Sequence, residues 1–129
     1  VARAGGSCEY CRLLQHAPGV TFHIEHVRPA SHGGETVFAN LALSCPGCNL
    51  AKADRISAAD EKGVHHRLFN PREYTPWLLG WHLHFDLHRR TGEIVPRTTI
   101  GLVTVSALGM NAEPRVFARK LQIAAGLIG

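Results

Sequence analysis

The sequence predicts an α+β fold in a single domain spanning residues 1–129. Three observations carry that expectation. Two Cys-x-x-Cys pairs, Cys8/Cys11 and Cys45/Cys48, frame a segment whose short apolar runs are separated by a glycine-containing loop. Directly after the second pair, Leu50-Ala51-Lys52-Ala53-Asp54-Arg55 has helix-forming composition. Further on, residues 82–88 alternate polar and apolar side chains as a half-buried strand does. At 129 residues and 45% hydrophobic composition, with no long apolar span, the chain is large enough for its own core and unlike a membrane protein.

The cysteines come first because their chemistry is the most restrictive. Two knuckles of this spacing let four thiolates converge tetrahedrally on one zinc, and the chain has no fifth cysteine to compete. A disulfide framework is the alternative. Nothing resembles a secretory signal, however, and paired knuckles suit zinc in a reducing cytosol better, so the expected location is cytoplasmic. A redox pair of the thioredoxin type fits poorly, since neither knuckle opens a βαβ pattern.

Between the knuckles, Thr21 to Val27 reads as a short half-buried strand, and Arg28-Pro29 through His32-Gly33-Gly34 breaks it into a loop. Asn40 opens a second apolar run, Leu41-Ala42-Leu43-Ser44, which ends in the second knuckle. A helix is expected from Asn49 onward. Strand, loop, strand and helix then bring Glu25, His26 and Asn49 together where hairpin and helix pack. In the second half, Leu68-Phe69-Asn70-Pro71-Arg72 is turn-like, and His82 to His88 is expected as a strand. His82, His84, Asp86 and His88 would share one face, read as a solvent-facing row rather than a metal site. Arg89-Arg90-Thr91-Gly92 is a plausible turn into Glu93-Ile94-Val95. Asn111 is expected to cap a final helix with Pro114 in its first turn, carrying Val116, Leu121, Ile123 and Ala124 among Arg115, Arg119 and Lys120.

These residues resemble a known family. The segment His23 to Asp54 is similar to the HNH homing and restriction-type endonucleases, whose core is a ββα-metal (His-Me finger) unit. The resemblance implies His26 as general base, Glu25 and Asn49 as ligands of a catalytic divalent metal, and Asn40 as the brace of the intervening loop. Cys8, Cys11, Cys45 and Cys48 match the zinc-braced subgroup, and Gly33-Gly34 its loop glycines. Cys8-Glu9-Tyr10-Cys11-Arg12 resembles the opening of stand-alone bacterial members. Leu68 to Arg72 and Leu108-Gly109-Met110-Asn111 resemble their C-terminal extension, which divides the chain into a core of about 8–56 and an extension of about 57–129. For Thr98 to Leu108, strand propensity and the resemblance conflict; the resemblance favours a helix. Where the family more often has His at the helix position, this chain has Asn49.

Chemistry explains why such residues belong together. Phosphodiester hydrolysis needs an activated water and compensation for charge on the phosphate and the leaving oxygen. Neutral His26 suits the first task. Oxygen donors from Glu25 and Asn49 favour Mg²⁺ or Mn²⁺ there, with Zn²⁺ only at the thiolates. Fourteen Lys and Arg against ten Asp and Glu give a formal net charge of +4, which favours a polyanionic partner such as DNA. His23 shares strand parity with Glu25, His32 sits by the loop glycines, and Lys52 and Arg55 are candidates to reach phosphate. The expected function is metal-dependent cleavage of DNA. The alternative is a non-catalytic zinc-knuckle module on a decayed HNH fold that binds DNA or protein, and RNA remains a possible substrate. Oligomeric state is not legible. The chain begins at Val1 rather than Met, as expected of a piece of a longer protein.

Overall fold

A computed structural model describes residues 4–15 and 21–128. Helices and short antiparallel strands are mixed, as expected. The first knuckle is a tight turn closed by Cys8 N–H to Leu13 O at 2.8 Å and Arg12 N–H to Cys8 O at 3.0 Å. Arg12 pays for the turn with a left-handed φ of 70°. The knuckle is sewn to the next hairpin, because Glu9 N–H donates to Leu43 O at 2.9 Å and Leu43 N–H to Glu9 Oε1 at 3.1 Å.

Strand β1 (His23–His26) pairs antiparallel with β2 (Leu41–Ser44), setting Glu25 opposite Ala42 and His26 opposite Leu41. The polarity of β1 is inverted: Glu25 is buried at 8% exposure while Ile24 is 53% exposed. Helix α1 (Pro46–Lys52) begins three residues before Asn49, not at it. The second knuckle is its first turn. Cys45 caps it by accepting the Cys48 N–H at 3.4 Å, and Pro46 takes the first helical position, where no N–H is needed. Asn49 is therefore interior to the helix and is not its cap.

A hairpin of β3 (Ser57–Ala59) and β4 (His65–Arg67) follows. Its turn is held by Asp60 Oδ1, which accepts the Lys62 and Val64 N–H groups, and by Gly63 at φ 80°.

The expected strand over residues 82–88 is corrected. Helix α2 (Trp77–His84) runs straight into a short strand β5 (Phe85–Leu87), paired with β6 (Ile94–Pro96). Trp77, Gly80, Trp81 and His84 are buried along the helix, a stripe at helical spacing that outweighs the period-two pattern of His and Leu. Trp81 is wholly enclosed, and its Nε1–H donates to Tyr10 O at 2.7 Å. The row of His82, His84, Asp86 and His88 consequently does not exist as one face. His84 points inward to Thr98 Oγ1 at 2.6 Å, whereas Asp86 is exposed. The turn before β6 lies where expected, with Gly92 N–H returning to His88 O at 2.8 Å.

Thr98 to Leu108 is helical: α3 (Thr99–Leu108) is capped by Thr98 Oγ1 accepting the Gly101 N–H at 3.0 Å. A β-carbon on Gly101 would lie 2.2 Å from His84 O, so close packing of α2 on α3 requires glycine here. Helix α4 (Glu113–Ala124) carries Pro114 in its first turn. Its cap position is Ala112, and Asn111 instead brackets Ile94, accepting its N–H at 2.7 Å and donating to its O at 2.8 Å. Tyr10, Phe69, Trp81, Phe85, Ile94, Leu108 and Met110 make one core beneath the knuckles, so the extension buries the back of the β1–β2–α1 unit.

Candidate metal centre and cleft

The four cysteines meet. Their sulfur atoms lie within 4.8 Å of one another, and Cys11 and Cys45 are 3.6 Å apart. A zinc with bonds of about 2.3 Å to each sulfur needs tetrahedral edges of about 3.8 Å, close to the Cys11–Cys45 separation and within the spread of the cluster. No cysteine is in a disulfide. All four are at most 1% exposed, which closes the centre to solvent. Burial pushes the Cys8 thiol up, while hydrogen bonds from the neighbouring thiols hold Cys11 well below its ordinary value. Arg115 of α4 donates from Nη1 to Cys48 Sγ at 3.1 Å and from Nη2 to Leu108 O at 2.8 Å. Such an N–H···S bond compensates negative charge that a tetrathiolate site accumulates.

Beside this closed centre lies an open cleft of about 290 Å³, lined by His23, Ile24, Glu25, His26, Pro29, Ala30, Asn49 and Ala53. It unites the end of β1 with the fourth residue of α1. A carboxylate and an amide share it, an all-oxygen donor pair that suits a hard divalent cation. His26 is half-buried, and its Nε2 lies 2.8 Å from Thr36 Oγ1.

Asn40 ties the loop between β1 and β2 shut. Its Oδ1 accepts the Arg28 N–H at 2.8 Å, and its Nδ2 donates to Arg28 O at 3.0 Å and Glu35 O at 2.8 Å. A β-carbon on Gly34 would sit 1.7 Å from Arg28 O, so this latch forms only around glycine.

Glu25 is gripped on both oxygens. The Tyr10 hydroxyl donates to Oε1, and the Lys52 ammonium lies 3.4 Å from Oε2. Burial pushes the Glu25 carboxyl above its ordinary value, and the pull of Lys52 and Tyr10 in the other direction does not cancel it. Lys52 is only 1% exposed and donates to Val27 O at 2.9 Å and His26 O at 3.4 Å. It is thus a buried link and not a phosphate contact. Arg55 remains exposed but bridges α1 to α3 through Ala51 O at 2.7 Å and Ala107 O at 2.8 Å. Arg119 is wholly buried on Gly92 O and Met110 O, so α4 packs through its cations. His23 is exposed at the rim of the cleft and His32 is exposed on the loop.

Tyr10, Thr36 and Arg115 are functional candidates that the sequence alone does not single out. Tyr10 sits inside a knuckle and invites notice on that ground; Thr36 and Arg115 carry no such signal. No described helix is long and apolar enough to cross a membrane.

No curated protein and no solved structure matches the chain. Residues 8–55 match the HNH endonuclease family, a stretch running from the first knuckle through α1. Residues 8–55 therefore form an HNH endonuclease domain, with four buried thiols that could hold zinc.

Proposed function

We propose that the chain hydrolyses DNA phosphodiester bonds, with zinc at Cys8, Cys11, Cys45 and Cys48 as a structural ion and with Mg²⁺ or Mn²⁺ at Glu25 and Asn49. The observation that carries this reading is the convergence of Glu25, His26 and Asn49 on one open cleft within the matched segment. When His26 Nε2–H donates to Thr36, Nδ1 is left as a proton acceptor, which is what activating a water requires. Thr36 thereby orients the base, and Asn40 fixes the loop that carries Thr36. A divalent cation at this site supplies Lewis-acid stabilisation of phosphate and leaving-oxygen charge. His26 would take a proton from a water whose oxygen bonds to phosphorus as the bond to the 3′-oxygen breaks; the 3′-oxygen takes a proton from solvent, leaving a 5′-phosphate and a 3′-hydroxyl. The net charge of +4 favours a polyanion, and DNA is the substrate that the family name points to. Residues 57–128 act in this reading as one domain with the core, since Phe69, Trp81 and Leu108 share its apolar cluster with the knuckles.

A second reading is a zinc-braced binding module without turnover. The Lys52–Glu25 pair favours it, because an ammonium already compensates the carboxylate. The two readings separate in one assay. Supercoiled plasmid incubated with the zinc-loaded chain and Mg²⁺ or Mn²⁺ is expected to become nicked or linear, with ends that a ligase reseals; EDTA should stop it. Intact plasmid, with DNA retained on the protein, would support the binding module.

A further inference from the structure

We propose that Tyr10 and Lys52 are positioning residues for Glu25, one delivered by each zinc knuckle, so that the thiolate centre presets the carboxylate facing the cleft. The inference rests on the reading of Glu25 as a metal ligand. Tyr10 lies between Cys8 and Cys11 and is wholly buried. Its ring packs edge-on against Phe69, with centroids 6.4 Å apart, and its carbonyl accepts Trp81 Nε1–H at 2.7 Å. Phe69 thus fixes the ring and Trp81 the backbone of the residue whose hydroxyl donates to Glu25 Oε1.

Lys52 lies one helical turn beyond Cys48, and its ammonium is fixed by Val27 O at 2.9 Å as well as by Glu25 Oε2 at 3.4 Å. A carboxylate has about four lone-pair sites. Two donors occupy one site on each oxygen and stop rotation, which leaves further lone pairs for a cation. Partners of this kind, behind a metal ligand, typically alter metal affinity by about 10- to 100-fold when removed. Lys52 also grips His26 O at 3.4 Å, so one ammonium sets the register of both Glu25 and His26.

The discriminating variant is Tyr10→Phe, which keeps the ring and its packing and deletes only the hydroxyl. Mn²⁺ affinity would be measured by electron paramagnetic resonance on zinc-loaded wild type, Tyr10→Phe, Lys52→Met and Glu25→Gln, beside zinc content and circular dichroism. Tyr10→Phe is expected to keep its zinc and its spectrum and to bind Mn²⁺ about 10-fold or more weakly; Lys52→Met, which frees the carboxylate but also removes a cation that competes with the metal, is expected to lose less affinity than Tyr10→Phe. Wild-type affinity in a folded Tyr10→Phe, with binding lost in Glu25→Gln, would overturn the positioning role and leave the ligand reading intact. Equal behaviour of Glu25→Gln and wild type, whether both bind Mn²⁺ or neither does, would remove the ligand reading and this inference with it.

Discussion

Asn49 of the cleft directly follows Cys48 of the thiolate centre, yet the two centres are built on opposite principles. The thiolate centre has four like donors at 0–1% exposure, already spaced for one ion. The cleft has unlike donors, one of them already engaged by a phenol and an ammonium, around a cavity of about 290 Å³. Closed sites of the first kind stabilise folds; sites with open positions admit water and substrate. The lesson is that in this small unit the first centre supplies rigidity to the second. Tyr10, adjacent to Cys11, and Lys52, one turn from Cys48, carry that rigidity across.

The largest effect should come from breaking the closed centre. Cys45→Ser removes a thiolate while its hydroxyl can still cap α1, so it isolates the metal site, and structural zinc sites contribute folding free energy of roughly 10 kcal/mol or more. Loss of zinc by elemental analysis, together with loss of the cooperative thermal transition, is the expected outcome. A variant that keeps its wild-type transition would mean that the thiols are not the keystone of this unit.

An intermediate effect is expected at the loop latch. Asn40→Ala deletes three hydrogen bonds to backbone, which should cost about 1–3 kcal/mol in thermal or denaturant unfolding without loss of zinc. A cost below a few tenths of a kcal/mol would show that the loop closes without its latch.

The smallest effect lies away from both centres. Burial holds His84 below its ordinary value of 6.5, so the unfolded chain takes the proton first. Its contribution to stability is complete above pH 6.5 and is lost as pH falls through the lower folded value. Denaturant titrations of wild type and His84→Gln across that window should diverge near neutrality and converge in acid. Parallel curves would assign the pH response to other groups.

The same contrast explains what was legible in the sequence. The thiolate centre announces itself, because four cysteines at knuckle spacing admit few chemistries. His26 and Asn40 fall in the motif, and the β1–β2–α1 order follows from local patterning. The grip on Glu25 was not legible, since it depends on Tyr10, fifteen residues away, and on a lysine that local pattern assigns to the surface. Helix α1 starts before Asn49 because Cys45, a residue type rarely used as a cap, accepts the Cys48 N–H and begins the helix at Pro46. The β3–β4 hairpin went unread although Asp60-Glu61-Lys62-Gly63 is a turn signal. In residues 77–88 two periods coexist: His and Leu alternate, while Trp77, Trp81 and His84 recur at helical spacing. The second wins because Trp81 finds its partner on Tyr10, 71 residues earlier, and no local window contains that contact.

The most direct test of the division of labour is the rate of plasmid cleavage by zinc-loaded His26→Ala beside wild type, in the same Mg²⁺ or Mn²⁺ buffer. Removing a general base typically costs about 10²- to 10⁴-fold. The predicted result is a loss of that size with zinc content and thermal transition unchanged. Cleavage by folded His26→Ala at the wild-type rate would contradict the account, because the cleft would then not be where the chemistry happens.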